Sequence, residues 1–434
     1  MHMQRPYPRA VITKKGALAL KKGHVWVFEG EVERIEPAPA DGAPATNGCI
    51  VDVVEENGTY QGTGLLSEES KIRIRLVSRN ANDRFDDAFW RRKIQWAWDY
   101  RKTVMGQRAL PGCEPDTNCC RVIFSEADGF PGLIVDRYED VLVAQVGTVG
   151  MDRLRPVLYP MILDVLRADG QEVRGIYERN DAPARRHEGL ALQKGWWDAA
   201  AGATRVDDAG AQERIVMHEN GIAYDVDLLN SQKTGFFLDQ KYNRLAVRQL
   251  AAGKRVLDCF SHVGPFGLNA AAGDAEFVRC VDVSQTAVDL ARRNAELNGL
   301  ADRMGFTCTD VLDYLPALAG DKKRLAEEGG PFDLVILDPP AFTKSRSTVK
   351  QARRGYLKIN ELALRLLPRG GYLATCSCSH FMTTSLLKGA IGEAAAAAHV
   401  QLKQVEERQQ APDHPILWGV PETHYLDFLI FQVI

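Results

Sequence analysis

The sequence of 434 residues predicts an α/β protein whose last half is a mostly parallel sheet. Three observations support this. The length suggests two or three domains, the first 79 residues carry short β-like runs, and strand-like and helix-like runs alternate through the last half. Strands that alternate with helices imply a parallel sheet covered on both faces. The strand-like runs of the last half are KRVLDCF, FVRCVDV, GFTCTD, FDLVILDPP and GYLATCSCS.

Differences in pattern divide the chain into three predicted domains. These are a small β-rich domain over 1–79, a central α+β domain over 80–212 and the sheet domain over 213–434. Apolar and polar residues alternate in three runs of the first domain: VWVFEGEVERI, CIVDVVEE and IRIRLVS. In the central domain, the spacing of apolar residues predicts helices over 89–104 and 152–168.

The sheet domain has two further recognisable features. Ser284 is the predicted N-cap of a helix that Asn298 and Gly299 end. After the fifth strand and one more helix, the runs VQLKQVEERQ and DFLIFQVI predict a terminal strand pair. Such a pair on a sheet of this kind is common in methyltransferases and unusual in nucleotide dehydrogenases.

The composition is that of an ordinary globular protein, with 45% apolar and 26% charged residues. The N-terminal MHMQRPYPRAV has no apolar signal-peptide core, and no apolar run approaches the roughly 18–20 residues of a membrane span. We therefore expect a cytoplasmic protein. Nine irregularly spaced cysteines argue against a disulfide framework. Because there is no C-x-x-C pair, the cluster GCEPDTNCC (112–120) does not predict a metal site.

The net charge of −3 predicts no nucleic-acid partner by itself, but the basic residues are unevenly distributed. Six Lys or Arg and no acid lie between Arg5 and Phe28, and the same holds between Phe342 and Asn360. The second run contains Lys344, Arg346, Lys350, Arg353, Arg354 and Lys358. Either run alone could be a solvated basic face, whereas the two together favour a phosphate backbone as partner.

The loop after the first strand of the sheet predicts the cofactor. It reads DCFSHVGPFG from Asp258 onward, with glycine only at Gly264 and Gly267. Dinucleotide enzymes use G-x-G-x-x-G here because backbone amides must approach a pyrophosphate. S-adenosylmethionine carries no phosphate, so a loop with fewer glycines and an acid at the strand tip suits it better.

Acids also end the second and third strands. Asp282 stands where an acid accepts hydrogen bonds from both ribose hydroxyls, and Asp310 stands near the expected adenine edge. Each could instead be a helix-capping residue. Together with Asp258 they put three acids at successive strand ends, which favours a cofactor site.

The fourth strand ends in DPPAF, in which Asp338 is followed by Pro339, Pro340 and then Phe342. Successive prolines stiffen the backbone, so they would hold an acid and an aromatic ring beside the cofactor's methyl group. The first and fourth strands flank the switch point of the sheet, and Asp338 is therefore expected to face the same cleft as Asp258. The motif alone could be a turn, but after three such strands it indicates a base methyltransferase.

Taken together, these residues resemble the bacterial ribosomal RNA large-subunit methyltransferase I family, which makes 5-methylcytosine in 23S rRNA. The resemblance covers nearly the whole chain. LKKGHVWVFEGEV resembles the family's PUA domain, an RNA-binding β-barrel, and SEADGFPGLIVDRY and IYERND resemble its central domain. Its catalytic domain is a Rossmann-like class I methyltransferase fold with a seven-stranded sheet. The motifs similar to it are TGFFLDQKYNR, VLDCFSHVGPFG, VDVSQTAVDLARRN, DPPAF, CSCS and APDHP. VGPFG departs from the family, which usually has glycine where Pro265 stands.

The resemblance implies roles for individual residues. Cys378 is the implied nucleophile, and Asp338 would hold the flipped cytosine through its amino group or ring nitrogen 3. The residues expected to bind S-adenosylmethionine are Gln240, Asp258, Phe260, Gly264, Asp282, Asp310 and Asp338. Those expected to contact RNA are Pro339, Phe342, Lys344, Arg353 and Arg354. The expected partner is 23S ribosomal RNA, naked or partly assembled, without a membrane; a homodimer is left open.

The two cysteines of TCSCSH differ in expected depth. Cys376 and Cys378 share a face of the strand because they are two residues apart. Cys376 is predicted to lie further back as an inert buried hydrophobe, and Cys378 nearer the carboxyl end, where ligands bind. We expect the site to lower the pKa of the Cys378 thiol. Other RNA cytosine-5 enzymes have a second cysteine where Ala341 stands, so the group that takes the carbon-5 proton is left open.

Three other functions compete with this one. An enzyme with D-P-P-F could methylate an exocyclic amine such as that of guanine, which needs no thiol. A catalytically idle RNA-binding protein would not need the full set of cofactor acids. A nicotinamide dehydrogenase would need the phosphate loop that this sequence lacks.

Overall fold

The computed structural model describes residues 5–109, 115–206, 213–231 and 233–434. These residues form two compact units. The first contains the described residues of Met1–Met217, Val226–Leu238 and Pro412–Thr423, and the second contains His218–Asp225, Asp239–Ala411 and His424–Ile434. The predicted domain divisions at 79/80 and 212/213 stay predictions. Residue 212 and Cys113 of the predicted cysteine cluster lie outside the described residues.

The first unit contains two six-stranded sheets. The strands of the first sheet are β1 (Arg9–Ile12), β2 (Trp26–Phe28), β3 (Val32–Glu36), β4 (Ile50–Glu55), β5 (Tyr60–Leu66) and β6 (Ile72–Ser78), in the order β2-β6-β5-β4-β1-β3. The strands of the second are β7 (Cys119–Phe124), β8 (Leu133–Tyr138), β9 (Val141–Val146), β10 (Gly175–Asn180), β11 (Gln193–Asp198) and β12 (Ala203–Val206), in the order β12-β11-β10-β9-β8-β7. The three runs with alternating apolar and polar residues form strands of the first sheet, as predicted.

The helices of this part of the chain are α1 (Lys14–Lys21), α2 (Asp87–Gly106), α3 (Ser125–Asp128) and α4 (Val149–Ala168). Helices α2 and α4 contain the predicted helical ranges 89–104 and 152–168. A separate two-stranded sheet follows, made of β13 (Arg214–Glu219) and β14 (Ile222–Asp227).

The second unit is built on one seven-stranded sheet. Its strands are β15 (Arg255–Cys259), β16 (Phe277–Asp282), β17 (Met304–Cys308), β18 (Leu334–Leu337), β19 (Tyr372–Ser377), β20 (Leu402–Gln409) and β21 (Asp427–Val433). Its helices are α5 (Lys241–Leu250), α6 (Pro265–Ala272), α7 (Gln285–Leu297), α8 (Val311–Gly320), α9 (Lys322–Glu327), α10 (Val349–Leu366) and α11 (Thr384–Ala397). The order is β17-β16-β15-β18-β19-β21-β20, in which β21 is antiparallel to both of its neighbours.

This architecture confirms the predicted mostly parallel sheet with a terminal strand pair. The predicted N-cap is also present, because the Ser284 hydroxyl accepts the Ala287 N–H at 3.3 Å, and the helix ends at the predicted Asn298. All four residues of β18 are buried, as expected for a strand covered on both faces. The parallel strands end at one edge of the sheet, and the loops at that edge carry the predicted site.

The register places the DPPAF and TCSCSH segments side by side. Leu337 pairs with Cys259 of β15 on one side and with Thr375 of β19 on the other. The next residues along these strands are Asp338 and Cys376, so an acid and a thiol meet at the carboxyl edge.

A buried ion pair holds α5 in the second unit. Arg244 donates two hydrogen bonds of 2.7 Å to the carboxylate of Glu219, and both side chains are almost completely buried. The helix begins directly after Gln240, so the pair fixes the segment that carries a predicted site residue.

Among the residues that the structure describes, none of the helices combines the length and the apolar character that a membrane span requires. In the same ranges, no group of three or more His, Cys, Asp or Glu is placed to hold a metal ion. A cytoplasmic location stays a prediction.

Replacing Glu219 by Ala should destabilise the protein strongly. The change leaves the buried guanidinium of Arg244 without its carboxylate, and breaking a buried pair in this way costs about 3–5 kcal/mol. The measurement is the thermal unfolding midpoint. The matched control is Glu393→Ala, which breaks the more exposed pair with Arg353 and should change the midpoint little. Equal midpoints for the two variants would contradict the prediction.

Candidate active site

Asp258 connects strand β15 to helix α6 through a hydrogen bond. Its side chain is fully buried, and Oδ2 accepts the N–H of Gly267 at 2.8 Å. A Cβ at Gly267 would lie 2.6 Å from the Cys280 sulfur and 3.1 Å from this oxygen, so only glycine fits. The other oxygen, Oδ1, is buried without a hydrogen-bond partner among the described residues. Burial raises the pKa of Asp258 well above its usual range.

The loop after β15 has a strained backbone. Phe260 and His262 have φ values of 61° and 49°, a region that side-chain-bearing residues seldom adopt, and Gly264 follows with φ 81°. Such strain persists only where the surroundings fix it, and it is concentrated at functional sites. One fixing contact is the His262 N–H, which donates to Oδ2 of Asp282 at 2.8 Å.

Asp282 keeps unused acceptor positions. Its side chain is partly exposed, Oδ2 accepts from His262, and Oδ1 accepts the Ser284 N–H at 2.9 Å. An ionised carboxylate offers about four lone-pair sites, so roughly two remain for a pair of ribose hydroxyls. Asp282 therefore has a structural role in the loop as well as the geometry to bind the sugar.

Asp310 lies at the end of β17 and caps a helix. The side chain is exposed, and Oδ1 accepts the Leu312 N–H at 2.8 Å at the start of α8. Asp310 therefore caps helix α8, as the helix-capping alternative predicted. A contact of Asp310 with adenine stays a prediction.

Asp338 is held through one oxygen. Oδ1 accepts from the Gln240 amide at 3.2 Å and from the Cys376 thiol at 2.9 Å. The other oxygen has no hydrogen-bond partner in the part of the chain that is described, and the residue is partly exposed. Burial, together with the nearby charge of Asp239, raises the pKa of Asp338 to about 6. The site thus presents a carboxyl group that is fixed through Oδ1, has its other oxygen available and titrates close to neutral pH.

Gln240 is buried and holds Asp338 in place. Its amide nitrogen donates to Asp338 and lies 3.4 Å from the Cys376 sulfur, and its oxygen accepts from Asn243 at 2.7 Å. Arg408 in turn donates to Asn243 at 3.3 Å. A contact of Gln240 with the cofactor stays a prediction. Asn243 is not among the predicted site residues, although its position three residues after Gln240 at a helix start is a usable signal.

The two thiols differ in depth as predicted. Cys376 is fully buried, whereas Cys378 lies just beyond β19 and is partly exposed, with its sulfur 3.8 Å from the Pro339 carbonyl oxygen. The predicted burial of Cys376 is confirmed, and its thiol also donates a hydrogen bond to Asp338, which the sequence did not indicate. Burial and the adjacent Asp338 raise the pKa of Cys376 well above its usual range, so this thiol stays protonated.

The residues after Asp338 pack against α10. Pro339 is buried, and Phe342 is partly exposed with its ring 4.8 Å from the Tyr356 ring. A Cβ at Gly355 would lie 3.0 Å from the Phe342 ring, so this glycine makes room for it. A further contact that the sequence did not indicate joins the two loops, since the Ser379 hydroxyl donates to the Thr343 carbonyl at 2.8 Å.

The cations of the basic run between Phe342 and Asn360 differ in whether they form an ion pair. Arg353 makes two hydrogen bonds to Glu393, at 2.6 and 3.1 Å, and is therefore already neutralised. Lys344 and Arg354 are exposed and make no ion pair with any described residue. Glu393 lies 40 residues further along the chain, so this pair could not be predicted from the local sequence pattern.

The residues present fit S-adenosylmethionine. The unpartnered Oδ1 of Asp258, the spare acceptor positions of Asp282 and the strained loop between them lie at the ends of the neighbouring strands β15 and β16. A sheet of this strand order, with its last strand reversed and such a site at its carboxyl edge, defines a class I methyltransferase.

Comparisons with known proteins agree with this class. A family model described as S-adenosylmethionine-dependent methyltransferase matches residues 180–424, and one described as a PUA-like domain matches residues 10–79. Two solved structures share the fold over 98% of this chain and 100% of theirs, each with a TM-score of 0.73. One is a SAM-dependent methyltransferase from Streptococcus mutans at 22% identity, and the other, at 21%, is a methyltransferase complexed with SAH.

Curated relatives are similar over nearly their whole length. The protein from Shewanella denitrificans is 36% identical over 96% of both chains. That from Aeromonas salmonicida is 37% identical over 95% of this chain and 96% of its own, and that from Klebsiella pneumoniae is 34% identical over 97% of both. All three are named ribosomal RNA large subunit methyltransferase I. The chain belongs to this family, which confirms the resemblance, and it depends on S-adenosylmethionine.

Asp338→Asn should stabilise the folded protein at neutral pH. The folded pKa is about 6, whereas that of an unfolded Asp is about 3.9, so the stability that Asp338 contributes is full below about pH 4 and is lost as the pH rises through 6. Asparagine keeps Oδ1 as an acceptor and removes the charge. Thermal unfolding should show a gain of about 3 kcal/mol in the free energy of unfolding at pH 8, and this gain should shrink towards pH 5. An equal difference at both pH values would contradict the prediction.

Proposed function

We propose that this methyltransferase forms 5-methylcytosine in large-subunit ribosomal RNA through a covalent adduct with Cys378. The observation that carries the proposal is the partly exposed thiol of Cys378 beside the Pro339 carbonyl, at the same sheet edge as Asp338. A methyltransferase acting on an amine has no need of a thiol at this place.

Ribosomal RNA is proposed as the substrate on two grounds. The curated relatives carry that substrate in their names, and the N-terminal residues match a PUA-like family. The exposed cations Lys344 and Arg354 follow Asp338 closely in sequence and could contact RNA phosphates.

The chemistry requires an attacking sulfur because carbon 5 of cytosine is a poor nucleophile. The Cys378 thiolate adds to carbon 6, and the electron pair of the 5,6 double bond makes carbon 5 enamine-like. Bound S-adenosylmethionine supplies the methyl group to that carbon. A base then takes the carbon-5 proton, the electron pair re-forms the double bond, and the sulfur–carbon bond breaks to release Cys378.

Asp338 suits the task of holding the target base. With Oδ1 fixed by Gln240 and Cys376, the other oxygen can accept from the cytosine amino group or, when protonated, donate to ring nitrogen 3. A pKa of about 6 makes both forms accessible near neutral pH. Flipping the base costs a few kcal/mol, less if it lies in a loop, and Phe342 could stack on it.

Residues at the ends of β15 and β16 would hold the cofactor. Asp282 has acceptor positions for the ribose, and the strained backbone from Phe260 to Gly264 would follow the amino-acid end. Asp310 would lie towards the adenine.

Trapping with RNA that carries 5-fluorocytosine should identify the attacking thiol. Fluorine cannot leave as a proton does, so the adduct persists and should appear as a covalent complex on a denaturing gel. The parent and Cys376→Ser should form the complex, because serine can still donate to Asp338, whereas Cys378→Ser should not.

Each alternative gives a different result. Loss of the adduct in Cys376→Ser alone would make Cys376 the nucleophile. A Cys378→Ser variant that methylates RNA at nearly the parent rate would reject cytosine-5 chemistry and favour an exocyclic amine.

Arg354→Ala should weaken RNA binding and lower its dependence on salt. A lost phosphate contact reduces the slope of log affinity against log salt by about 1. Arg353→Ala should have a smaller effect because Glu393 already neutralises that cation. The matched control, Glu393→Ala, frees Arg353 and should steepen the slope. Equal salt slopes for the parent and the three variants would contradict the prediction and indicate that this face of α10 is a solvated surface.

A further inference from the structure

Trp418 is the most exposed large apolar side chain among the described residues, with 93% of its surface accessible. Tryptophan is seldom left in water, because its large ring gains more from burial than most side chains do. A single exposed ring of this kind needs a reason, and its surroundings supply one.

The turn that presents Trp418 is firmly held within the first unit. Gly419 packs backbone to backbone on Gly23, so that a Cβ at Gly419 would lie 3.1 Å from the Gly23 Cα. The Thr423 hydroxyl accepts the Leu417 N–H at 2.9 Å and donates to the Val420 carbonyl at 2.7 Å. The ring is therefore displayed on a fixed turn.

The glycine contact brings Trp418 next to the basic run at the start of the chain. Lys22 directly precedes Gly23 and is exposed, and Arg79 donates to the His24 carbonyl at 2.6 Å. Neither cation makes an ion pair with a described residue. The acids nearby include Glu422, whose carboxylate lies 3.9 Å from the His24 ring nitrogen, and Glu126, which accepts the Trp26 indole N–H at 2.9 Å.

More aromatic rings continue from this point along β2. The His24 ring lies 5.4 Å from Trp26 and 6.2 Å from Phe28, and Phe28 is 41% exposed. Aromatic rings close to exposed cations are typical of surfaces that bind single-stranded nucleic acid, in which bases stack and phosphates pair with positive charges.

We propose that Trp418 stacks on an unpaired base of the RNA, while Lys22 and Arg79 contact the adjoining phosphates. The proposal rests on the proposed function, since it takes RNA to be the substrate. By this proposal, the turn that carries Trp418 forms part of the surface with which the N-terminal domain contacts RNA. A protein partner is less well matched, because the exposed cations Lys22 and Arg79 flank the ring.

The test is the affinity of the full chain for protein-free large-subunit ribosomal RNA at several salt concentrations. Trp418→Ala should weaken binding about tenfold with an unchanged salt slope, because stacking releases no counterion. Trp418→Phe should recover most of the affinity. Lys22→Ala and Arg79→Ala should each lower the slope by about 1.

Trp96→Ala is the matched control, since this ring on α2 is also exposed, at 60%, and should not affect binding. The thermal midpoint of Trp418→Ala should equal that of the parent. If the parent itself binds no RNA, the proposed function fails. If the parent binds and Trp418→Ala binds equally well, the stacking role is overturned and the turn serves a protein partner.

Discussion

Two hydrogen bonds to a single oxygen, Oδ1 of Asp338, hold together the elements that meet at the carboxyl edge of the seven-stranded sheet. One donor, Gln240, comes from the turn before α5, and the other, Cys376, comes from β19. The Cys376 thiol can donate because burial keeps it protonated. Since α5 is itself fixed by the buried pair of Arg244 and Glu219, the position of the carboxyl group is set by three separate segments of the chain.

The sheet could be predicted because its signals are local. Strand-like runs alternate with helical ones, and the acids follow directly from the strand ends, as Asp282 does in β16. The relative depth of Cys376 and Cys378 was also predictable, because a strand has a period of two and a defined direction. The structural predictions that are confirmed are those for which residues close together in the sequence carry the whole signal.

What the sequence did not indicate are contacts between distant residues. The thiol of Cys376 meets Asp338 only because β18 and β19 are paired in one particular register. Arg353 on α10 forms an ion pair with Glu393 on α11. The APDHP motif, which resembles part of the catalytic domain, is divided, since Ala411 belongs to the second unit while Asp413 accepts the Arg121 N–H in the first.

Because residues 412–423 belong to the first unit, they affect how that unit folds during synthesis on the ribosome. The fully buried Arg101 donates to Asp128 and also to the carbonyl of Asp413, which is 312 residues away. During translation the nascent N-terminal unit lacks this partner until residue 413 has left the exit tunnel. A buried donor without its acceptor is costly, so the unit stays incomplete and open to chaperones and proteases until then.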